Sequence, residues 1–300
     1  MTWLIFALLA PAVYAVVTFI DKYLLSKKIK DYNAMPVYTG AVGFLAGSIL
    51  WTINGFPTLP IKDAVIVLTT GILTGISLYV YFKALSSEET SKINILFQMF
   101  PIISLALAFL LLHEKISIQQ YGGFFLILFA TTLISYENDG GRIKFSQAFF
   151  LILLYDFTWA VMGILMKYAT GANSFWKVLN YESWGIGIGG ILMFLFIKKI
   201  RKAFLKSIKK VRVDTLVVVG LNEGVFVIAK SLTFFAFSIG PAALVSVLET
   251  TQAVYAIIYG SVLTVLFPTI FHENISQKEL VKKIVASLLV IMGIFLIYRQ

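Results

Sequence analysis

The fold is decided by a short polar stretch, His113-Glu114-Lys115-Ile116-Ser117, which returns late in the chain as His272-Glu273-Asn274-Ile275-Ser276. Each copy follows an apolar run of membrane length and precedes a final apolar run rich in Leu, Ile and Phe. Two unrelated membrane segments can look alike because they share a small alphabet of apolar residues. Here the matches include His, Glu and Ser, so they indicate a duplicated unit.

A second pair of matches lies near the start of each half. Tyr14-Ala15-Val16 with Lys22-Tyr23 returns as Trp159-Ala160-Val161 with Lys167-Tyr168, at the same internal spacing. The repeated unit contains five apolar runs, and because five is odd, the second copy must cross the bilayer in the opposite sense. Inverted repeats of this kind are typical of secondary transporters, which place their substrate site near the membrane midplane.

The composition predicts an all-α membrane protein with many spans. The chain is 59% hydrophobic and 13% charged, which is too apolar for a soluble domain of 300 residues. A span in lipid must satisfy its own backbone hydrogen bonds, so helices are expected throughout. Runs of roughly 20 residues can cross a ~30 Å hydrocarbon layer. Ten such runs are predicted, at residues 2–20, 34–56, 64–82, 92–112, 116–136, 146–166, 177–197, 214–237, 241–267 and 280–298.

The two copies define the predicted domain organisation. Residues 1–136 form the first five-helix repeat, residues 137–145 form a polar linker, and residues 146–300 form the second repeat. The chain has no Cys and two His, so it offers no disulfide, no thiolate metal site and no histidine cluster. We therefore predict no metal, no cofactor and no catalytic constellation.

Basic residues predict the orientation in the membrane. Lys230 aside, 19 Lys and Arg residues fall on the face of the odd-to-even connections and 5 on the opposite face. Eight of the 19 lie between Lys198 and Arg212. The positive-inside rule places that face in the cytoplasm and both termini outside. The same cluster would attract anionic lipid head groups, and a nucleic-acid partner is not predicted.

Several motifs resemble a known transporter family. The stretch from Ala84 to Pro101, the turn His113 to Ser117, and Gln119-Gln120-Tyr121-Gly122-Gly123 are similar to the EamA-type repeat of the drug/metabolite transporter superfamily. That repeat has a membrane proline, a short turn containing Gly-Glu, and Gln-x-x-Gly at the start of its last helix. The second half has the same outline from Ala236 to Gln277, so the resemblance extends over nearly the whole chain.

The resemblance implies ten spans in two inverted halves, alternating access, and a small metabolite as substrate, such as an amino acid, sugar, nucleotide derivative or organic cation. Three features depart from the family pattern. His113 and His272 stand where the family has Gly, and Ala253 stands where the first half has Pro101. Members usually place their termini in the cytoplasm, whereas the basic residues here predict the reverse.

Charged residues inside predicted spans are the first candidates for the site. Each costs about 2.5–3.5 kcal/mol at the centre of a span, so it needs a partner, water or a function. All of them fall in the second half, and the corresponding spans of the first half contain none. They are Asp156, Glu182, Glu223, Lys230 and Glu249.

Helical spacing groups other polar and aromatic residues with these charges. Asp156 and Trp159 share one face of their span, as do Glu249 and Gln252 of another. Amides and carboxylates lack hydrogen-bond partners in hydrocarbon, so these faces should line a shared interior. Further candidates are an amide stripe in the fourth span and three aromatic residues, namely Asn94, Gln98, Tyr14, Tyr79 and Tyr81.

Structural roles compete with each functional one. Glu223 or Glu249 could pair with Lys230 and only lock the bundle. Glu182 lies close enough to the predicted membrane interface to be a solvated end residue. Trp159 and the tyrosines could serve only in packing.

The predicted function is a secondary transporter of a small polar metabolite, acting as a monomer or homodimer in the cell membrane. Three deep acids against one deep base favour a cationic or zwitterionic substrate, whose ammonium could lie against a carboxylate and an aromatic face. The same carboxyls permit proton coupling. A flippase for a lipid-linked metabolite and, less readily, a passive channel are the alternatives. An enzyme is not expected, since no nucleophile–base pair is available inside the spans.

Overall fold

The computed structural model describes residues 2–29, 31–87, 97, 99–135, 147–266 and 277–298. All regular structure in these residues is helical, which confirms the predicted class. The first half contains α1 to α5 and the second half α6 to α12. In chain order the helices are Thr2–Tyr23, Met35–Ile53, Ile61–Ser87, Met99–Leu112, Ile118–Ser135, Gln147–Ala172, Phe175–Phe196, Lys198–Ile208, Val213–Ile239, Ala242–Glu249, Gln252–Leu266 and Gln277–Tyr298.

Within the described residues, seven helical segments are long and apolar enough to cross a membrane. They comprise α1, α2, α3, α6, α7, α9, and α10 together with α11. Shorter apolar helices occur at Met99–Leu112, Ile118–Ala130 and Ile284–Ile297. A location in the membrane with multiple spans is thus supported by length and composition. The number ten stays a prediction, as does the division into two repeats.

The halves are intertwined rather than side by side. Helix α7 of the second half packs against α2 and α3 of the first, and α1 packs against α9. Helix α6 lies against α3 and α4, and α5 pairs with α12. Because most of the large helix contacts join one half to the other, a cavity on the central axis takes its walls from both halves.

Glycines permit the close approach of α7 to its neighbours. A Cβ at Gly40 would lie 2.8 Å from the Cα of Gly190, and a Cβ at Gly71 would lie 2.0 Å from the carbonyl oxygen of Glu182. The second and seventh spans therefore pack closely. Glycine is not required for packing at Gly220 and Gly224 of α9, since a Cβ at either meets no described atom within 4 Å.

The basic connection after α7 is a helix, which was not predicted. Helix α8 runs from Lys198 to Ile208 and turns Ile200 and Ala203 inward, while most of its lysines are exposed. The ring of Phe204 packs edge-on against Tyr38, with centroids 5.1 Å apart. Alternation of basic and apolar residues at helical spacing makes α8 amphipathic. The high charge of this stretch concealed that pattern.

The ninth predicted span is broken in its middle. Helix α10 ends at Glu249 and α11 begins at Gln252, whereas a continuous helix was expected. The hydroxyls of Thr250 and Thr251 each donate to a carbonyl three residues earlier, at Val247 and Leu248, over 2.6 Å. Such back-bonding competes with the backbone for carbonyls and bends helices. The break leaves the Glu249 carboxyl at a helix end inside the bundle.

The repeated turn that follows α4 fastens the two halves together at one end. Glu114 accepts hydrogen bonds from the ammonium of Lys167 at the end of α6 and, at 2.8 Å, from the backbone N–H of Ala242. Lys167 also donates to the carbonyl of Gly240 at 2.6 Å. We call this group the Glu114 latch. It lies at the end of the bundle opposite the basic face. The second copy of the turn lies outside the described residues.

Candidate functional site

A cavity of about 790 Å³, a volume that includes open solvent, lies between the halves. Its walls come from α1, α3, the start of α4, α6, α9 and the α10–α11 break, so residues before 137 and after 145 both contribute. We call it the central cavity. It is lined by Tyr14, Val17, Thr18, Asp21, Leu78, Tyr81, Phe97, Phe100, Tyr155, Asp156, Trp159, Phe226, Glu249, Thr250, Gln252 and Ala253.

Three carboxyl groups line the central cavity. Asp21, Asp156 and Glu249 are 4%, 1% and 9% exposed, respectively. The backbone N–H of Phe100 approaches the Asp156 carboxylate, but among the described residues no hydrogen bond of ordinary geometry reaches either of its oxygens. A buried carboxylate without partners is costly, so Asp156 is the group of the cavity most in need of a donor or a cation.

The other two carboxyls are partly satisfied. Glu249 accepts a hydrogen bond from the hydroxyl of Thr233 on α9. Asp21 accepts one from the amide of Asn222 at 2.8 Å and a longer one from the hydroxyl of Tyr81 at 3.4 Å. These bonds hold each side chain in place at the cavity wall.

Aromatic rings form most of the remaining wall. Tyr155 and Trp159 are one turn apart on α6 and stack with centroids 5.7 Å apart and an interplanar angle of 12°. Tyr14 meets Trp159 edge-on at 6.5 Å and Phe226 at 5.9 Å. Tyr81 lies 5.8 Å from Tyr155. The rings continue from one half of the protein to the other, so their positions depend on how the halves pack.

An amide contact joins α1 to α11 at the cavity wall. The side chain of Gln252 donates to the hydroxyl of Thr18 at 2.9 Å, and that hydroxyl donates to the carbonyl of Tyr14 at 3.0 Å. The hydroxyl of Tyr14 is buried without a partner among the described residues. Of these groups, the Tyr14 hydroxyl is the one left to bond with an occupant of the cavity.

The central cavity carries acidic side chains and no basic one. None of the described residues that line it is Lys, Arg or His. Aromatic faces attract cations through their quadrupole, and buried carboxylates attract them through charge. An arrangement of this kind can hold an ammonium group, and it repels an anion.

Six residues that sequence reasoning selected lie together here. They are Tyr14, Tyr81, Asp156, Trp159, Glu249 and Gln252. Asp21 was missed, because the first span was predicted to end at residue 20 whereas α1 continues to Tyr23. A signal was present: Tyr14, Thr18 and Asp21 follow one helical face at intervals of four and three.

Lys230 and Glu182 do not line the central cavity. Both side chains are fully buried, and they form an ion pair between α9 and α7. The hydroxyl of Thr74 on α3 also donates to Glu182, at 2.9 Å. The structural alternatives considered from the sequence were a pair of Lys230 with Glu223 or Glu249 and a solvated Glu182, and the structure shows neither. Contacts between distant helices decide this pairing, and the sequence does not show them.

Glu223 lines a smaller neighbouring cavity of about 200 Å³ and accepts a hydrogen bond from the hydroxyl of Thr39 at 2.6 Å. Tyr79 lies away from both cavities, where its hydroxyl donates to Asn33 at 3.4 Å. Asn94 and Gln98 lie outside the described residues. Of the three acids predicted to lie deep in the membrane, Asp156 and Glu249 line the central cavity and Glu223 lines the smaller one.

The described helices form a polytopic membrane bundle, and a comparison with known protein families suggests the class of protein. Residues 1–136 match the sequence model of the EamA-like transporter family. That family belongs to the drug/metabolite transporter superfamily, and its members are transporters rather than enzymes. The first 136 residues of the chain are therefore similar to the EamA-like transporter family, in agreement with the resemblance seen in its motifs.

Solved structures support the fold alone. One, titled only as the crystal structure of a protein, superimposes with a TM-score of 0.67 over 98% of this chain and 94% of its own. The two sequences share 15% identity. No curated protein matches the chain.

Proposed function

We propose that the protein is a secondary transporter that carries a small organic cation, or a zwitterion with an ammonium group, by alternating access. One observation supports this most strongly. Asp156, Glu249 and Asp21 face a central cavity walled by aromatic rings, with no basic side chain among its described lining residues. A substrate ammonium would supply the positive charge that these carboxyls lack.

Asp156 is the proposed anchor for the ammonium, with the Tyr155–Trp159 stack beside it. A cation–π contact contributes roughly 0.5–2 kcal/mol depending on desolvation. Pairing a buried carboxylate contributes more, because it removes the penalty of an unpartnered charge. Trp159 and Tyr155 should therefore tune affinity, and Asp156 should decide whether a cation binds at all.

Two features support alternating access: the Glu114 latch, which joins the halves at one end, and the α10–α11 break. The Glu114 latch joins the halves at the end of the bundle opposite the basic face. The α10–α11 break places Glu249 at a point where the backbone can change direction. Broken helices at the midplane are a recurrent element of transporters built from inverted repeats. We propose that residues 1–136 and 146–300 move relative to one another around the central cavity.

The test is uptake of radiolabelled choline into proteoliposomes, preceded by a thermal-shift screen of amines, amino acids and sugars to select a better substrate. Asp156→Asn should reduce uptake about tenfold or more, a change of ~1.4 kcal/mol or more in transition-state free energy. The exposed Asp214→Asn is the matched control and should transport normally. Unchanged uptake in both Asp156→Asn and Glu249→Gln would remove the proposed role of these acids.

A further inference from the structure

A second group of oxygens lies beside the central cavity and shares one residue, Asp21, with it. Helices α1 and α9, from opposite halves, bring Asp21 and Glu223 to the smaller cavity of about 200 Å³. Thr39 of α2 and Asn222 of α9 line it as well. We call these four residues the oxygen cluster.

The oxygen cluster has more acceptors than donors. Thr39 donates to Glu223 at 2.6 Å, and the Asn222 amide nitrogen donates to Asp21 at 2.8 Å. The side-chain oxygen of Asn222, a residue only 1% exposed, has no partner among the described residues. Two carboxylates and an unused amide oxygen therefore converge on one small space.

The basic residue of α9 that lies nearest to Glu223 along the chain, Lys230, already has an ion-pair partner. Lys230 lies seven residues after Glu223, about 10 Å along the helix axis, and is paired with Glu182. Two carboxylates in a water-poor interior cannot both stay ionised without a compensating charge. The oxygen cluster thus lacks one positive charge, and oxygen ligands are those that a hard monovalent cation prefers.

We propose that the oxygen cluster is a binding site for one monovalent inorganic cation, H⁺ or Na⁺. Asp21 also lines the central cavity, so occupancy of the cluster can be sensed at the substrate site through this one side chain. The binding of a cation does not depend on the proposed transport function, but its use to drive transport rests on that function. In a transporter, the bound cation would join α1 of one half to α9 of the other and couple to substrate movement.

Other titratable groups surround the cluster and belong in any pH experiment. Tyr81 of α3 donates to Asp21, and Glu249 of α10 lines the adjoining central cavity. Lys230 lies along α9, and α2 contributes the non-titrating Thr39. Only a pH response that disappears when Glu223 is changed can therefore be assigned to the oxygen cluster.

The experiment measures the melting temperature of the purified full-length protein in detergent, without substrate. In one arm NaCl replaces KCl at constant pH and ionic strength; in the other, pH is varied in KCl. Wild type should show a saturable rise of several degrees with Na⁺, or a rise as pH falls, because bound cation stabilises only the folded state. Glu223→Gln should lose whichever response is present, and Thr39→Val should weaken it.

Asp214→Asn, an exposed acid on the same helix, should keep the full response. A wild type that responds to neither cation overturns the proposal, as does a Glu223→Gln variant that responds like wild type. If Glu223→Gln does not fold, Thr39→Val decides, since an unaltered response there has the same meaning. Asp156→Asn should retain the Na⁺ response, so loss of choline transport there leaves the oxygen cluster intact.

Discussion

At the scale of single residues, the buried charges of this protein divide into paired and unpaired groups. Lys230 and Glu182 are fully buried and satisfy one another. Asp156 accepts no hydrogen bond of ordinary geometry among the described residues. The pair is therefore expected to serve stability, whereas Asp156 is expected to serve binding.

The Lys230–Glu182 pair can be tested through stability. Glu182→Gln or Lys230→Met leaves one charge buried and unpaired, so each should lose about 3–5 kcal/mol of folding free energy. The double replacement Glu182→Leu with Lys230→Met removes both charges and should be more stable than either single variant. Thermal unfolding in detergent measures this. Singles as stable as wild type, or a double variant worse than both, would contradict the ion-pair role.

Depth along a span was enough to select Asp156 and Glu249 from the sequence, because a charge is costly to bury at the centre of a span, and helical spacing from Asp156 selected Trp159. The pairing of the buried charges could not be predicted from depth. The partner of Lys230 lies 48 residues away on a helix whose packing depends on glycines in α2, α3 and α7. Asp21 was missed because the predicted end of the first span fell one residue too early.

At the scale of helices, the bundle depends on close backbone contacts and on one break. The approach of α7 to α2 and α3 requires glycine at the crossing points. The break after Glu249 depends on two adjacent threonines whose hydroxyls take backbone carbonyls. Both features shape the walls of the central cavity.

The glycine contacts predict opposite effects for one type of substitution. Gly71→Ala would place a Cβ 2.0 Å from the carbonyl oxygen of Glu182, and overpacking of this kind costs about 1–3 kcal/mol or more. Gly224→Ala meets no described atom within 4 Å and should stabilise α9 by up to ~1 kcal/mol through helix propensity. Melting temperatures of the two variants test this. Equal effects would show that α7 and α3 are not in contact at Gly71.

The α10–α11 break predicts a defect in movement rather than folding. Replacing Thr250 and Thr251 together by Ala removes the two hydroxyl bonds that compete with backbone N–H groups for the carbonyls of Val247 and Leu248, so the helix should become continuous. Choline uptake should fall about tenfold, corresponding to ~1.4 kcal/mol, while the melting temperature stays equal or rises. Ser246→Ala removes a similar hydroxyl bond inside α10 and should have little effect. Normal uptake by the double variant would mean that the break is dispensable.

Most helices could be predicted from the sequence to within a few residues, because long apolar runs determine them. The sequence did not predict helix α8, because its high charge obscures its apolar face. It did not predict the break after Glu249, because threonine does not end helices by propensity alone. In both cases the local structure depends on tertiary surroundings that the sequence does not show. For α8 these are the packing of Phe204 against Tyr38, and for the break they are the cavity beside Glu249.

At the scale of the whole molecule, orientation follows from charge. The basic face, with α8, is predicted to be cytoplasmic. The chain has no native cysteine, so a single introduced cysteine labels only its own position. Lys206→Cys on α8 should react with an impermeant maleimide only in inside-out vesicles, and Thr58→Cys, exposed between α2 and α3, only in intact cells. The reverse pattern would support the usual orientation of the family.

The central claim is that positive charge decides what the cavity between the halves accepts. The most direct measurement compares the binding of choline and of its neutral isostere 3,3-dimethyl-1-butanol to the purified protein by calorimetry. The two ligands differ in charge and hardly in shape. Choline should bind wild type at least tenfold more tightly, a difference of ~1.4 kcal/mol, and Asp156→Asn should abolish that preference. Equal binding of the two ligands by wild type would contradict the account.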